Sequence, residues 1–153
     1  KEPGDPDSCE KTTANNKAAY TNLLNYFSTR PDTLFVAFTA PPLAEPVLFT
    51  KDKIVNTVKT LLGRPDTVDK IGHRARSFNN WLKDVQQGWL KDYELNNVVV
   101  FDYYDVLTDY GKSNWSVYPT QGGRDSHPSS EGHAKASQEF VPFLNRAVDR
   151  MGF

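Results

Sequence analysis

Leu34-Phe35-Val36-Ala37-Phe38 is a continuous apolar run of strand-forming residues. It is too short for a helix and reads as a strand buried on both faces, as in a parallel sheet. Ala40-Pro41-Pro42 stops it. Behind Asn97, the run Val98-Val99-Val100-Phe101-Asp102 reads the same way. Helical sequence separates the two runs, so they cannot form a hairpin. They fit α/β wiring with right-handed crossovers and a parallel sheet. Two parallel strands alone expose their edges and do not support three layers, so the pair reads as part of a larger sheet.

Working outward, Tyr20, Leu23, Leu24 and Phe27 fall at i, i+3, i+4 and i+7 and predict a helix over 14–29, closed by Pro31. A second helix is expected over 51–62, with Gly63 as its stop. A third is expected over 67–91 on the stripe Ile71, Phe78, Trp81, Leu82, Val85 and Trp89, which makes both tryptophans core residues. Residues 103–127 read as a polar, aromatic loop. A closing helix starts at Ser129 or Ser130 and carries Ala136, Phe140, Phe143, Leu144 and Ala147; Pro142 should kink or split it.

The chain has 153 residues, 18 basic and 19 acidic, long enough for one core and without the basic stripe of a nucleic-acid footprint. No apolar run approaches the ~20 residues of a membrane span. Cys9 is the only cysteine, which excludes an internal disulfide and a cysteine zinc site. The polar start at Lys1, rich in Pro and Asp, reads as a cut or processed end.

The segment Asp125-Ser126-His127-Pro128-Ser129-Ser130-Glu131-Gly132 carries the chemistry. Pro128 holds His127 extended, and the helix behind it presents unpaired N–H groups whose partial positive charge favours a neutral ring. Asp125 can fix the tautomer and stabilise the imidazolium during reaction, so the pair suits a general base with its orienting carboxylate. Asp102 and Asp105, after the second strand, are reserve partners. The three histidines, His73, His127 and His133, lack a ligand spacing, so no metal or other cofactor is expected. Tyr103, Tyr104, Tyr110, Trp115 and Tyr118 suit either a sugar or acyl surface or plain packing. Asn114-Trp115-Ser116 is a glycosylation sequon.

That segment resembles the last block of the SGNH (GDSL) serine esterase and lipase superfamily, in which an Asp, a His-Pro and a Gly open the final helix. Asp32 to Pro42 is similar to the family's fourth strand and its following turn, and Val98 to Asp102 to its fifth. The resemblance implies a three-layer α/β/α fold of flavodoxin-like type, with residues 1–153 as the C-terminal portion of a single domain. It implies serine-type ester hydrolysis through an acyl-enzyme, with His127 as base and then acid and Asp125 orienting it. The family's usual Asp stands three residues before the His, where this chain has Arg124. The Gly-Asp-Ser nucleophile block and the oxyanion Gly and Asn do not occur here. Gly4-Asp5-Pro6-Asp7-Ser8 is a superficial echo, since no buried strand precedes Ser8. The expected partners are therefore the N-terminal part of the same domain and a small-molecule or glycan ester, in a secreted or extracellular setting, with no nucleic acid and no membrane span. The alternative is a non-catalytic glycan- or protein-binding module derived from the same fold.

Overall fold

A computed structural model describes residues 4–46 and 67–152. The helix expected over 51–62 lies outside the described residues. Contacts divide the chain into two units, the first of residues 4–39, 80–102 and 140–152, the second of residues 40–46, 67–79 and 103–139.

The first unit is built on helix α1 (Thr13–Ser28), strand β1 (Phe35–Phe38) and strand β2 (Val98–Phe101). Thr12 caps α1 by accepting from the Asn15 N–H at 3.1 Å. Strands β1 and β2 pair in parallel, with Phe35 opposite Val98 and Phe38 opposite Phe101. Successive strand residues point to opposite faces, so Phe35 and Phe38 look in opposite directions. Phe35 stacks on Phe27 of α1 at 4.2 Å between ring centroids. Phe101, on the Phe38 face, packs on Phe140 and Phe143 at 5.1 and 5.2 Å. These two phenylalanines belong to helix α4 (Ser130–Met151). The parallel pair is thus flanked by helix on both faces, an α/β/α layering that follows from strand parity.

On the α1 side the core is Leu82, Trp89 and Val98, with Tyr20, Leu24 and Phe27 packed against it. Asn97 is 1% exposed. Its Nδ2 donates to the carbonyls of Phe27 (3.0 Å) and Arg30 (2.9 Å), and its Oδ1 accepts from Tyr93 at 2.7 Å. This side chain therefore gives a second hydrogen bond to the Phe27 and Arg30 carbonyls, which also accept the N–H groups of Arg30 and Thr33, each at 3.1 Å.

Four expectations change. None of the four residues of β1 is buried and Phe38 is 47% exposed, whereas Val98, Val99 and Phe101 of β2 are buried. Double-sided burial therefore holds for the second strand and not for the first. Helix α2 (Thr67–Lys83) stops well short of residue 91. The Asp84 carboxylate takes the N–H groups of Gln86 and Gln87 at 2.9 and 3.0 Å and turns the chain, which also holds its own pKa below the usual value. Trp89 then returns to the core through its N–H to the Trp81 carbonyl at 3.0 Å. Pro142 neither splits nor ends α4. It and Gln138, whose carbonyl lacks its helical donor, both lie on the exposed side, where water can take the donor's place.

In the second unit, residues 103–127 are not a loop. They hold a short helix α3 (Tyr103–Leu107), in which Tyr104, Val106 and Leu107 are buried, and an antiparallel pair, β3 (Pro119–Thr120) with β4 (Asp125–Pro128). Among the described residues the chain is thus an α/β protein with two short sheets, one parallel and one antiparallel. Among the described residues no helix is long and apolar enough to cross a membrane.

Candidate active site

His127 sits on β4, the strand that leads into α4. Three residues in left-handed conformation, Gln121, Gly122 and Gly123 (φ 50°, 65° and 89°), turn the chain between β3 and β4. Along a strand, residues two apart share a face, so a carboxylate at position 125 reaches the ring at 127. Asp125 Oδ1 lies 2.6 Å from His127 Nδ1 and also accepts the His127 backbone N–H at 3.0 Å. Gln121 Nε2 donates to the other carboxylate oxygen at 3.4 Å. The strand setting explains why two-residue spacing brings the groups together although Arg124 holds the place three residues before the histidine.

Asp125 is held below the ordinary carboxylate pKa, first by the His127 backbone N–H and then by the ring. A charged Asp125 makes Nδ1 the protonated nitrogen of the neutral ring, which leaves Nε2 to accept a proton. The His127 side chain is 86% exposed and that of Asp125 29%. Among the described residues, the hydrogen bonds of His127 run to Asp125.

The neighbours hold this segment in place. Ser126 Oγ accepts the Ala44 N–H at 2.9 Å. The Ser129 N–H donates to the Tyr118 carbonyl at 2.8 Å, and its Oγ accepts from Gly132 at 3.4 Å, capping α4. Both serines are thereby engaged in structure. Gly132 is buried, and a Cβ there would lie 2.8 Å from the Tyr118 Cβ and 3.3 Å from both the Leu107 Cδ2 and the Pro128 Cβ. The glycine of the motif lets α4 approach the residue that follows His127.

The reserve carboxylates are committed elsewhere. Asp102 accepts from Thr39 at 3.1 Å and pairs with Lys83. Asp105 pairs with Arg76 at 2.8 Å. Arg76, which no sequence pattern singled out, also donates to Asn114 Oδ1 (2.6 Å), Thr108 Oγ1 (2.9 Å) and the Ser113 carbonyl, and lies over the Tyr104 ring at 4.8 Å. It ties α2 to the chain after α3 and holds the sequon residue Asn114 by its side-chain oxygen. Of the aromatic group, Tyr104 is buried, which raises its phenol pKa, and its O–H donates to the Asn114 carbonyl. Tyr110 points outward beside Lys135.

Ser8 lies in a turn, its Oγ accepting the Glu10 N–H at 3.2 Å, and not at a strand-to-helix elbow. Cys9 is exposed. Among the described residues no three His, Cys, Asp or Glu side chains gather as a metal site. Two cavities of about 490 and 590 Å³ lie in the first unit against α1 and include neither His127 nor Asp125. Comparison of the chain with protein-family models, with curated proteins and with solved structures gives no match.

Proposed function

We propose that this chain is the base-bearing, C-terminal portion of a serine ester hydrolase of SGNH type, with a flavodoxin-like fold completed by further strands beside β1 and β2. The observation that carries this reading is the 2.6 Å contact of Asp125 with Nδ1 of an imidazole whose side chain is open to solvent. Nε2 takes the proton of a serine hydroxyl as its oxygen attacks the ester carbonyl. The resulting imidazolium, stabilised by Asp125, returns the proton to the leaving alcohol, and water then releases the acyl group by the same path. The serine and the oxyanion donors come from a segment outside this chain. The under-covered apolar strand β1 supports such a segment, since its side chains have the composition of a buried strand without the burial.

The substrate class is a carbohydrate ester in a secreted or extracellular setting, with the outward Tyr110 as an apolar surface for a sugar or acyl group. The test is hydrolysis of p-nitrophenyl acetate by the protein that bears the nucleophile. His127→Ala should lower kcat by about 10³-fold or more, and Asp125→Asn by about 10²–10⁴-fold. Turnover that survives His127→Ala overturns the assignment.

A further inference from the structure

Asp125 and His127 meet in the open. The ring is exposed, so water competes for Nδ1, and the carboxylate can turn away unless something else holds it. The turn that leads into β4 supplies that hold. Thr120 stands opposite Asp125 across the β3–β4 pair. The next residue, Gln121, donates from Nε2 to Asp125 Oδ2 at 3.4 Å, while Oδ1 takes both the backbone N–H and the Nδ1 of His127. The Thr120 hydroxyl adds a smaller contribution at the same carboxylate. With both oxygens engaged, the carboxylate cannot rotate without breaking a hydrogen bond.

Gln121 carries a backbone cost. Its φ is +50°, in the left-handed region where a residue with a Cβ is strained and glycine is not. Glycine does occupy the next two positions, Gly122 and Gly123, although a Cβ at either would meet nothing within 4 Å. Conformation, not space, is what glycine serves in this turn, and glutamine at 121 forgoes it. Strain of this kind persists where the surrounding structure fixes it and clusters at functional sites. Among the described residues, the hydrogen bond of the Gln121 side chain runs to Asp125. The strained residue is thus the one that grips the carboxylate from the side away from the ring's own bond.

We propose that Gln121 is a positioning residue: it holds the Asp125 carboxylate on His127 Nδ1, which keeps the proton on that nitrogen and leaves Nε2 open to accept. The effect on the ring is independent of any reaction; its consequence for catalysis rests on the proposed ester hydrolysis. The test is ¹⁵N spectroscopy of the histidine rings in the whole chain at about pH 9, well above the ordinary imidazole pKa, where the two nitrogen shifts report which one carries the proton. The His127 signals are those lost in His127→Ala. Wild type should show mainly the Nδ1–H form. Gln121→Met keeps the length and the backbone strain but removes the donor. Gln121→Gly removes donor and strain together, and should melt no lower than Gln121→Met. Both should raise the ratio of the Nε2–H to the Nδ1–H form by about threefold or more, as the loss of a hydrogen bond to a charged group implies. Gln121→Lys, which restores an N–H donor on a long side chain, should bring the ratio back toward wild type. In the protein that bears the nucleophile, Gln121→Met should lower kcat for p-nitrophenyl acetate by about threefold or more with KM unchanged. A wild-type ring mainly in the Nε2–H form overturns the proposal, as does an unchanged ratio in Gln121→Met and Gln121→Gly. A shifted ratio in a protein without esterase turnover supports the positioning role and counts against the ester reading alone.

Discussion

Gly132→Ala tests the close packing that holds the His127 segment against α4. The added methyl would start 2.8 Å from the Tyr118 Cβ. Carbon atoms rest at about 3.5–4.0 Å, so Tyr118 must retreat by about 0.7 Å or more. The other two neighbours, at 3.3 Å, offer little slack, because Leu107 is wholly buried and Pro128 is a rigid ring. Overpacking of this kind costs about 1–3 kcal/mol. Alanine returns up to about 1 kcal/mol of helix propensity, less in the first turn than in the middle of α4. The net loss is about 1–2 kcal/mol, which for a chain of this size lowers Tm by about 2–8 °C. Thermal unfolding followed by circular dichroism reads the stability, and the ¹H–¹⁵N shifts of His127 and Ser129 read the displacement. Gly122 is the contrast. Nothing lies within 4 Å of its Cβ, but its φ is +65°. Gly122→Ala should cost about 1–2 kcal/mol through backbone strain, and Gly122→Asn distinctly less. A Gly132→Ala protein that melts at or above the wild-type temperature, with unshifted His127 resonances, would refute the packing argument.

Three further outcomes are expected. Because folding lowers the Asp125 pKa, the stability it contributes is complete above the unfolded carboxyl's pKa, near pH 4, and is lost as pH falls through the folded value. ¹³C-detected titration should find that carboxyl below its ordinary value; His127→Ala should raise it only part of the way, since the backbone N–H bond remains, and no movement would refute the ring contact. Arg76→Ala should cost about 2–4 kcal/mol in urea unfolding, near the 3–5 of a fully buried pair and trimmed by partial exposure, and Arg76→Lys should recover little because the forked donors are lost. In the same assay, Asn97→Ala should cost about 1–3 kcal/mol by taking the acceptor from the Tyr93 hydroxyl and the second hydrogen bond from the Phe27 and Arg30 carbonyls.

The elements that sequence placed well are those whose signal is local. The run at 98–101 and the helix α1 were legible from residue spacing, although Leu23 of its apolar stripe is exposed, and Ser129 from its place at the head of α4. What stayed hidden depends on long-range partners. Asp84 ends α2 through its own turn, yet the apolar stripe continues in sequence because Trp89 returns to the core by another route. The pair β3 and β4 is too short and polar to show a two-residue alternation. Arg76 and Asn97 act through partners far along the chain, so nothing in their neighbourhoods marks them. The Asp125–His127 pair was legible as a motif, but the reason its spacing works lies in the strand that the sequence presented as loop.

The most direct test of the proposed base is covalent labelling of the nucleophile it would activate. The protein that carries this chain is treated with a fluorophosphonate, and the modified residue is found by peptide mass spectrometry. The account predicts rapid labelling of a single serine outside residues 1–153, slowed by about 10³-fold in His127→Ala. Equal labelling in both proteins, or no labelled serine at all, would contradict it.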